Sequence, residues 1–387
     1  MLNFKKRRHL CLLFFCHHLT ERNTNAKILS QNAALPNRLC KITESEDEDI
    51  NIYDIAKLSG VSIATVSRVV NGSPRVSEKT KEKVLAVMKA HDYTPNAFAR
   101  GLGLGSMKTV GIICPDISDS YMARAVHYLE DSLHSYGYGC ILGCSGYEQE
   151  QRESYVNWLL TKKIDTLVLV GSIYAGSGRD QHDTDYVRQA AEKTPVFMIN
   201  GQVTGENVYC ACADDFNAML TVTRALIKRG RKRTLFLHHV DSFSGRQKMQ
   251  GYEAALTEAG YPILGELKFQ TRNDIEYTRN ILVEYSRTLN FDSVISTADA
   301  MAVGAVKYAK IKGIAIPEEL SVVGYNNSLM SVSCEPEMTS VDSKVDVLCR
   351  LTVENMVGLL ERDEKPAAKT LVPCDVVKRC TTDFVFE

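Results

Sequence analysis

At 387 residues the chain is too long for one hydrophobic core, which excludes a single-core fold, and its 44% apolar and 24% charged residues describe an ordinary water-soluble protein. The net charge of -1 hides an asymmetry: residues 51–106 hold eight Lys/Arg against four Asp/Glu, residues 1–50 hold eight against six, and the remainder is acidic by seven. A basic module on an acidic body fits a protein that offers one surface to nucleic acid.

The chain opens MLNFKKRRHLCLLFFCHH, a basic cluster before the apolar run Leu10 to Cys16. Seven apolar residues lie at the bottom of the range for a signal segment and far below the ~20 that span a bilayer, and no A-x-A cleavage site follows. No membrane association is therefore expected, and a cytoplasmic location is. The acidic stretch Glu44, Ser45, Glu46, Asp47, Glu48, Asp49 reads as a solvated linker. The twelve cysteines are scattered, with Cys140/Cys144 and Cys210/Cys212 the close pairs; without a paired CxxC arrangement they predict reduced, mostly buried thiols and no metal site.

Residues 51–80, NIYDIAKLSGVSIATVSRVVNGSPRVSEKT, describe two short helices and a tight turn. Asn51 can cap a helix carrying Asp54 near its positive end and Ile55 and Ala56 on its apolar side. Gly60 supplies the positive φ a sharp turn requires, and Val61 plugs it. Ser62 can cap the second helix, on which Val66, Val69 and Val70 form a buried stripe. Ile63, Ala64, Thr65, Ser67, Arg68 and Asn71 make the opposite face, short, polar and cationic, suited to a major groove. A third helix, from about Ser77 to His91, places Val84, Val87, Met88 and His91 over the first two.

This run and the DYTPNAFARGL that follows it resemble the headpiece of the lactose-repressor and galactose-repressor (LacI/GalR) family, whose pattern is TIYDVAxxAGVSxxTVSRVLN followed by YxPNxxARSL. The resemblance implies a helix-turn-helix DNA-binding domain over residues 49–94, with Ile63–Asn71 as recognition helix and Ile63, Ala64 and Arg68 at base-reading positions. It assigns Tyr53, Ser62, Thr65, Ser67 and Asn71 mainly to phosphates, with Arg75 and Asn96 as further DNA contacts. Family members begin just before the position of Asn51, so residues 1–48 imply a mis-assigned start or a disordered leader. Residues 95–107 correspond to a hinge that folds on DNA, with Leu102 as a minor-groove wedge. Here the usual ARSL is replaced by ARGLGLGS, and Gly101, Gly103 and Gly105 each cost ~1 kcal/mol of helix propensity. With no strand before them, these glycines are not a dinucleotide loop.

From Lys108 onward, short apolar strands (Val110–Cys114, Thr166–Val170, Val196–Ile199, Thr234–His238, Ser293–Thr297, Ser321–Gly324) alternate with amphipathic helices such as Tyr121–Tyr136, Glu148–Lys162 and Gln247–Ala259. That rhythm predicts an α/β class with parallel sheets covered by helices, and residues 108–387 suffice for two subdomains. The resemblance extends here and implies a periplasmic-binding-protein-like I body of two doubly wound lobes. It places crossings near Cys212, Val341 and Ala367, giving an N-subdomain of about 108–212 plus 341–366 and a C-subdomain of about 213–340 plus 367–387. An effector is expected in the cleft at the carboxyl ends of the strands.

The resemblance assigns cleft residues one at a time. Asp116, Ser120 and Tyr121 lie in CPDISDSYM, similar to the family's PDISNPFF; Asn200 ends a strand. Lys248 stands three residues before Gly251, where the family has an effector-binding arginine, and lacks that residue's bidentate fork. Asp299 keeps an acidic position beside Ala298, which replaces a frequent asparagine, and Asn326 stands where many sugar-binding members have aspartate. A pentose, a hexose or a derivative is the expected effector.

No nucleophile elbow, P-loop, HExxH or paired-carboxylate motif is present, so neither catalysis nor a cofactor is expected. His238 and His239 end a strand, where neighbours face opposite ways, and read as structural. The expected protein is a homodimeric repressor of pseudo-palindromic operator DNA controlled by a small molecule. The alternative, an extracytoplasmic sugar-binding protein, would need an export signal and no headpiece.

Overall fold

A computed structural model describes residues 50–94, 106–178 and 181–384. The leader 1–48, most of the glycine-rich hinge, and with them Asn96 and Leu102, lie outside the described residues.

Three helices form the headpiece: α1 (Ile52–Ser59), α2 (Ile63–Val70) and α3 (Glu78–Ala90). Gly60 adopts φ +63°, the Val61 N–H donates to the Ala56 carbonyl and the Gly60 N–H to Lys57, the paired bonds that end a helix in a left-handed residue. Ser62 Oγ then accepts from Thr65 N at 3.2 Å and starts α2; Ser77 Oγ accepts from Thr80 N at 3.3 Å and starts α3. Ile55, Ala56, Val66, Val69, Val84 and Met88 make the buried core. Val70 and Val87 are only half-buried and His91 is exposed, because α3 ends at Ala90 and His91 is already its cap.

The body begins with β1 (Thr109–Cys114), α4 (Ser120–Ser135), β2 (Gly139–Cys144), α5 (Gln149–Leu160), β3 (Thr166–Val170), α6 (Asp185–Ala191), β4 (Val196–Ile199) and β5 (Val208–Ala213). It continues with α7 (Asp215–Lys228), β6 (Thr234–His238), α8 (Phe243–Glu258), β7 (Lys268–Gln270), α9 (Ile275–Tyr285), β8 (Ser293–Ser296), α10 (Asp299–Lys312), β9 (Ser321–Tyr325) and α11 (Leu329–Ser333). It closes with β10 (Thr339–Asp342), α12 (Val345–Arg362), β11 (Lys369–Val372) and β12 (Asp375–Val377).

Two six-stranded sheets result, in the orders β11-β5-β4-β3-β1-β2 and β12-β10-β9-β8-β6-β7. Every pairing is parallel except β10 with β12. Alternate residues of β3 serve opposite cores: Val168 and Val170 face α4 and α12, while Leu167 and Leu169 face α5 and α6. A strand buried on both faces is apolar at every position, the signature that exposed it in the sequence.

The chain passes between lobes three times: after Ala213, at Ser343 and Lys344, and at Pro373 and Cys374. The third crossing differs from the expectation near Ala367. β11 pairs with β5, so residues 369–372 belong to the first sheet, and β10 keeps Val341 in the second. A four-residue edge strand with alternating exposure carries too little apolar signal to be read beforehand.

Among the described residues no helix is long and apolar enough to cross a membrane, and no group of three or more His, Cys, Asp or Glu side chains could hold a metal ion. Among the described cysteines, all free, Cys114, Cys210, Cys212 and Cys349 are buried, Cys140, Cys334 and Cys374 are half-buried, and Cys144 and Cys380 are exposed.

Helices α7 and α8 pack so closely at Gly251 that a Cβ there would overlap the Phe216 carbonyl oxygen and lie 3.0 Å from Leu220 N. Gly251→Ala is expected to destabilise the protein by about 1–3 kcal/mol in urea denaturation; an unchanged midpoint would contradict this packing.

Candidate nucleic-acid interface and interlobe cleft

On α2 the apolar stripe is turned inward by Val66 and Val69, and this leaves Ile63, Ala64 and Arg68 exposed in one row. Ile63 is 42% exposed, unusual for a large aliphatic side chain on so small a domain. Arg68 has no salt bridge among the described residues, so its guanidinium is free to bridge acceptors. Ser62 and Thr65 hydroxyls lie 2.9 Å apart at the amino end of α2, and Asn71 Nδ2 donates to Ser67 Oγ at its other end. Tyr53 and Arg75 flank the row and are exposed. The structure thus brings the predicted Tyr53, Ser62, Ile63, Ala64, Thr65, Ser67, Arg68, Asn71 and Arg75 onto one small domain.

The cleft between the two sheets encloses about 690 Å³ of empty space including its mouth, within the range of small-molecule sites. A second chamber adjoins it, and Asp119, Tyr147, Ala298 and Asn326 line both. The lobes are fastened across this cleft at several points. Ser172 Oγ donates to Ser242 Oγ at 2.9 Å, Arg246 donates to the Gly176 carbonyl at 3.3 Å, and Asn273 Nδ2 donates to Asp119 Oδ2 at 2.8 Å. Deeper in, Arg124 of α4 donates to the carbonyls of Asn326 and Asn327 at 3.0 and 3.2 Å.

Each predicted cleft residue is near this space, yet several are already engaged. Tyr121 and Asn200 are both buried; Asn200 Nδ2 donates to Tyr121 Oη at 2.7 Å and its Oδ1 accepts from Ala213 N, so the pair fastens α4 to the end of β5. Asn200 stands beyond the end of β4 with φ +58°. Asp116 accepts from the Ser118 backbone and hydroxyl, and with Ser120 lines the second chamber. Asp299 is buried and accepts from Ser328 N, Ser328 Oγ and Ser340 Oγ at 2.6 to 2.7 Å; burial holds its carboxyl above the usual range. Asn326 has φ +93° and donates its backbone N–H to Val341, at the edge of both chambers.

Lys248 reaches the cavity wall but is not a free cation. Its Nζ lies 3.7 Å from Asp215 Oδ1 and 3.7 Å over the Tyr325 ring, and all three residues are buried. Tyr325 Oη donates to the same Asp215 oxygen and lies 3.6 Å from Cys374 Sγ, whose thiol burial pushes up to about 12.

Several cleft residues escaped the sequence. Asp119 caps α4 by accepting from Tyr121 N and Met122 N; Asn273 and Arg124 reach over from lobe to lobe. His239, expected to be structural, lines the cavity instead, and its buried Nδ1 has no hydrogen-bond partner. Burial, with Lys248 beside it, depresses its pKa to about 4, so the ring is uncharged at neutral pH. His238 is a neighbour of Phe236 and is not among the cavity-lining residues. The position after a strand end was a legible signal for His239; the lack of a partner was not.

Comparison with known proteins places both parts. Residues 51–96 match the description "Bacterial regulatory proteins, lacI family", and residues 107–380 match "Periplasmic binding proteins and sugar binding domain of LacI family". The chain is 43% identical to an HTH-type transcriptional regulator of Lachnoclostridium phytofermentans, over 87% of this chain and 100% of that one. It is 31% identical to catabolite control protein A of Priestia megaterium, over 76% of this chain and 87% of the relative. Among solved structures, the lac repressor dimer bound to operator and the anti-inducer ONPF aligns with TM-score 0.77 at 21% identity, covering 86% of this chain and 99% of that one. A complex of the transcriptional regulator CelR with cellobiose aligns with TM-score 0.63 at 23% identity, over 86% and 100%. With a helix-turn-helix headpiece joined to a two-lobed binding body along one sequence, the chain belongs to the LacI family of bacterial DNA-binding transcriptional regulators.

Proposed function

We propose that this regulator is a cytoplasmic, homodimeric repressor whose affinity for a pseudo-palindromic operator is set by a sugar or sugar derivative held between its lobes. The observation that carries the reading is the exposed row Ile63, Ala64 and Arg68 on a capped helix, in one chain with a cleft whose walls come from two lobes. Ile63, Ala64 and Arg68 read base edges; Tyr53, Ser62, Thr65, Ser67, Asn71, Arg75 and Asn96 hold the backbone, and Leu102 wedges into the minor groove. The domains run as a leader, a headpiece over 49–94, a hinge over 95–107 and a two-lobed body from 108. Two headpieces on a two-fold dimer meet half-sites in successive major grooves. The protein acts by binding alone, without catalysis.

Effector and operator are coupled because the crossings are tied to the cleft wall. Lys248 lines the cavity, while its partners Asp215 and Tyr325 sit where the chain enters the second lobe and beside Cys374 in the third crossing. A ligand that rearranges Lys248 therefore alters how the second lobe packs against the third crossing, with a coupling of ~1–3 kcal/mol typical of such systems.

Arg68→Ala is expected to weaken binding to the selected operator by about 10- to 100-fold while sparing weak, salt-sensitive DNA binding, as a bidentate base contact would. Fluorescence anisotropy on operator and scrambled duplexes measures both, and equal operator affinity would sink the recognition-helix assignment. Lys248→Met leaves Asp215 as an unpaired buried charge and should lower stability by about 3–5 kcal/mol in urea denaturation. An unchanged midpoint would mean that the pair does not hold α7 and α8 together at the base of the second lobe.

A further inference from the structure

The cleft is short of places for a charged ligand. The amino ends of helices are the usual anion sites of such a body, and three that begin at the strand ends here already carry the chain's own carboxylates. Asp119 accepts from Tyr121 N and Met122 N at the start of α4, Asp214 accepts from Asn217 N at the start of α7, and Asp299 occupies the first turn of α10. At α8 the cap is the Ser242 hydroxyl, which accepts from Gly245 N and from Ser172 Oγ across the cleft. The one ammonium among the described lining residues, Lys248, is held against Asp215 and the face of Tyr325, and the Arg124 guanidinium that crosses the cleft is taken up by the carbonyls of Asn326 and Asn327. An incoming phosphate or carboxylate would thus meet Asp119 and Asp299 with no free cation to offset them.

The wall carboxylates are already hydrogen-bonded, Asp116 by the Ser118 backbone and hydroxyl. Asp119 is taken up by α4 and Asn273, Asp215 by Tyr325 and Lys248, and Asp299 by Ser328 and Ser340. What the two chambers do leave unmet is uncharged: His239 Nδ1 in the first and Asn273 Oδ1 in the second are buried atoms without a hydrogen-bond partner. Each is satisfied by a hydroxyl, and a buried polar atom left without one is costly.

We propose that the cleft takes an uncharged polyhydroxyl effector that hydrogen-bonds His239 at one end and Asn273 at the other, and that it excludes phosphorylated and carboxylated sugars. This deepens the reading of the cleft as a sugar site and rests on it.

The test is isothermal titration of the full chain with ribose, glucose and cellobiose and with ribose 5-phosphate, glucose 6-phosphate and gluconate. One or more neutral sugars should bind, with the charged counterpart weaker by at least about 100-fold, the scale on which a site punishes an unpaired buried charge. A charged counterpart that binds as tightly as the neutral sugar overturns the proposal and leaves the sugar reading standing. If none of the six binds, the sugar reading itself fails and takes the proposal with it. For the sugar that binds, His239→Phe and Asn273→Ala should each weaken affinity by about 10-fold, one hydrogen bond's worth. Wild-type affinity in both variants, with ligand-free melting temperatures showing them folded, would overturn the assignment of the two ends.

Discussion

The Asp215 carboxylate is the constraint on which the base of the second lobe, where the crossings meet it, depends. It is buried at the first turn of α7, immediately after the chain leaves the first sheet, and it holds the Lys248 ammonium and the Tyr325 hydroxyl at once. Burying a carboxylate and an ammonium costs several kcal/mol each, and the cost is offset only where partners are well placed. Here the partners come from α8 and the end of β9, and Tyr325 in turn meets Cys374. The crossings are also tied to one another: Asp214 N donates to the Val372 carbonyl, and Lys344 Nζ lies 2.5 Å from Asp375 Oδ2. The last pair is partly exposed and contributes little by itself. With three strands of chain fastened at one level, the lobes can turn about the crossings but cannot slide freely, which is the geometry of a hinge.

Above the hinge the contacts are of a different kind. Ser172 with Ser242, Arg246 with Gly176 and Asn273 with Asp119 are single hydrogen bonds between groups that water could also satisfy, each worth ~1 kcal/mol. A fastened base below a mouth held by single hydrogen bonds lets the cleft change at small cost, and a ligand shifts such a balance by its differential contacts alone. The headpiece, with about 45 residues and a core centred on Ile55, Val66, Val84 and Met88, is close to the lower limit for independent stability. Its capping hydroxyls, Ser62 and Ser77, therefore matter more than they would in a larger domain.

Much of this was legible in the residues. The six strands read from the sequence are all present, because strands buried on both faces are apolar throughout, and the ends of the headpiece helices followed from Ser62, Ser77 and Gly60. What escaped were elements with weak local signals. β2, GCILGC, is half exposed and rich in glycine and cysteine, and β11 is a four-residue edge strand. In the cleft, proximity was legible but partnership was not. Lys248, Asp299 and Asn200 line its chambers, yet their bonds to Asp215, to Ser328 and Ser340, and to Tyr121 depend on residues 33, 29, 41 and 79 positions away. The hooks left over, His239 and Asn273, are defined by the lack of a partner, which no local pattern records.

The account as a whole claims that one chain joins a sequence-reading helix to a ligand-controlled hinge. Its most direct test is selection of random duplexes by the full-length protein, followed by titration of the enriched duplex with and without a saturating sugar that binds the body. The account predicts a pseudo-palindromic consensus whose dissociation constant shifts by about 5- to 150-fold with the sugar. No consensus, or one whose affinity is the same in both conditions, would contradict it.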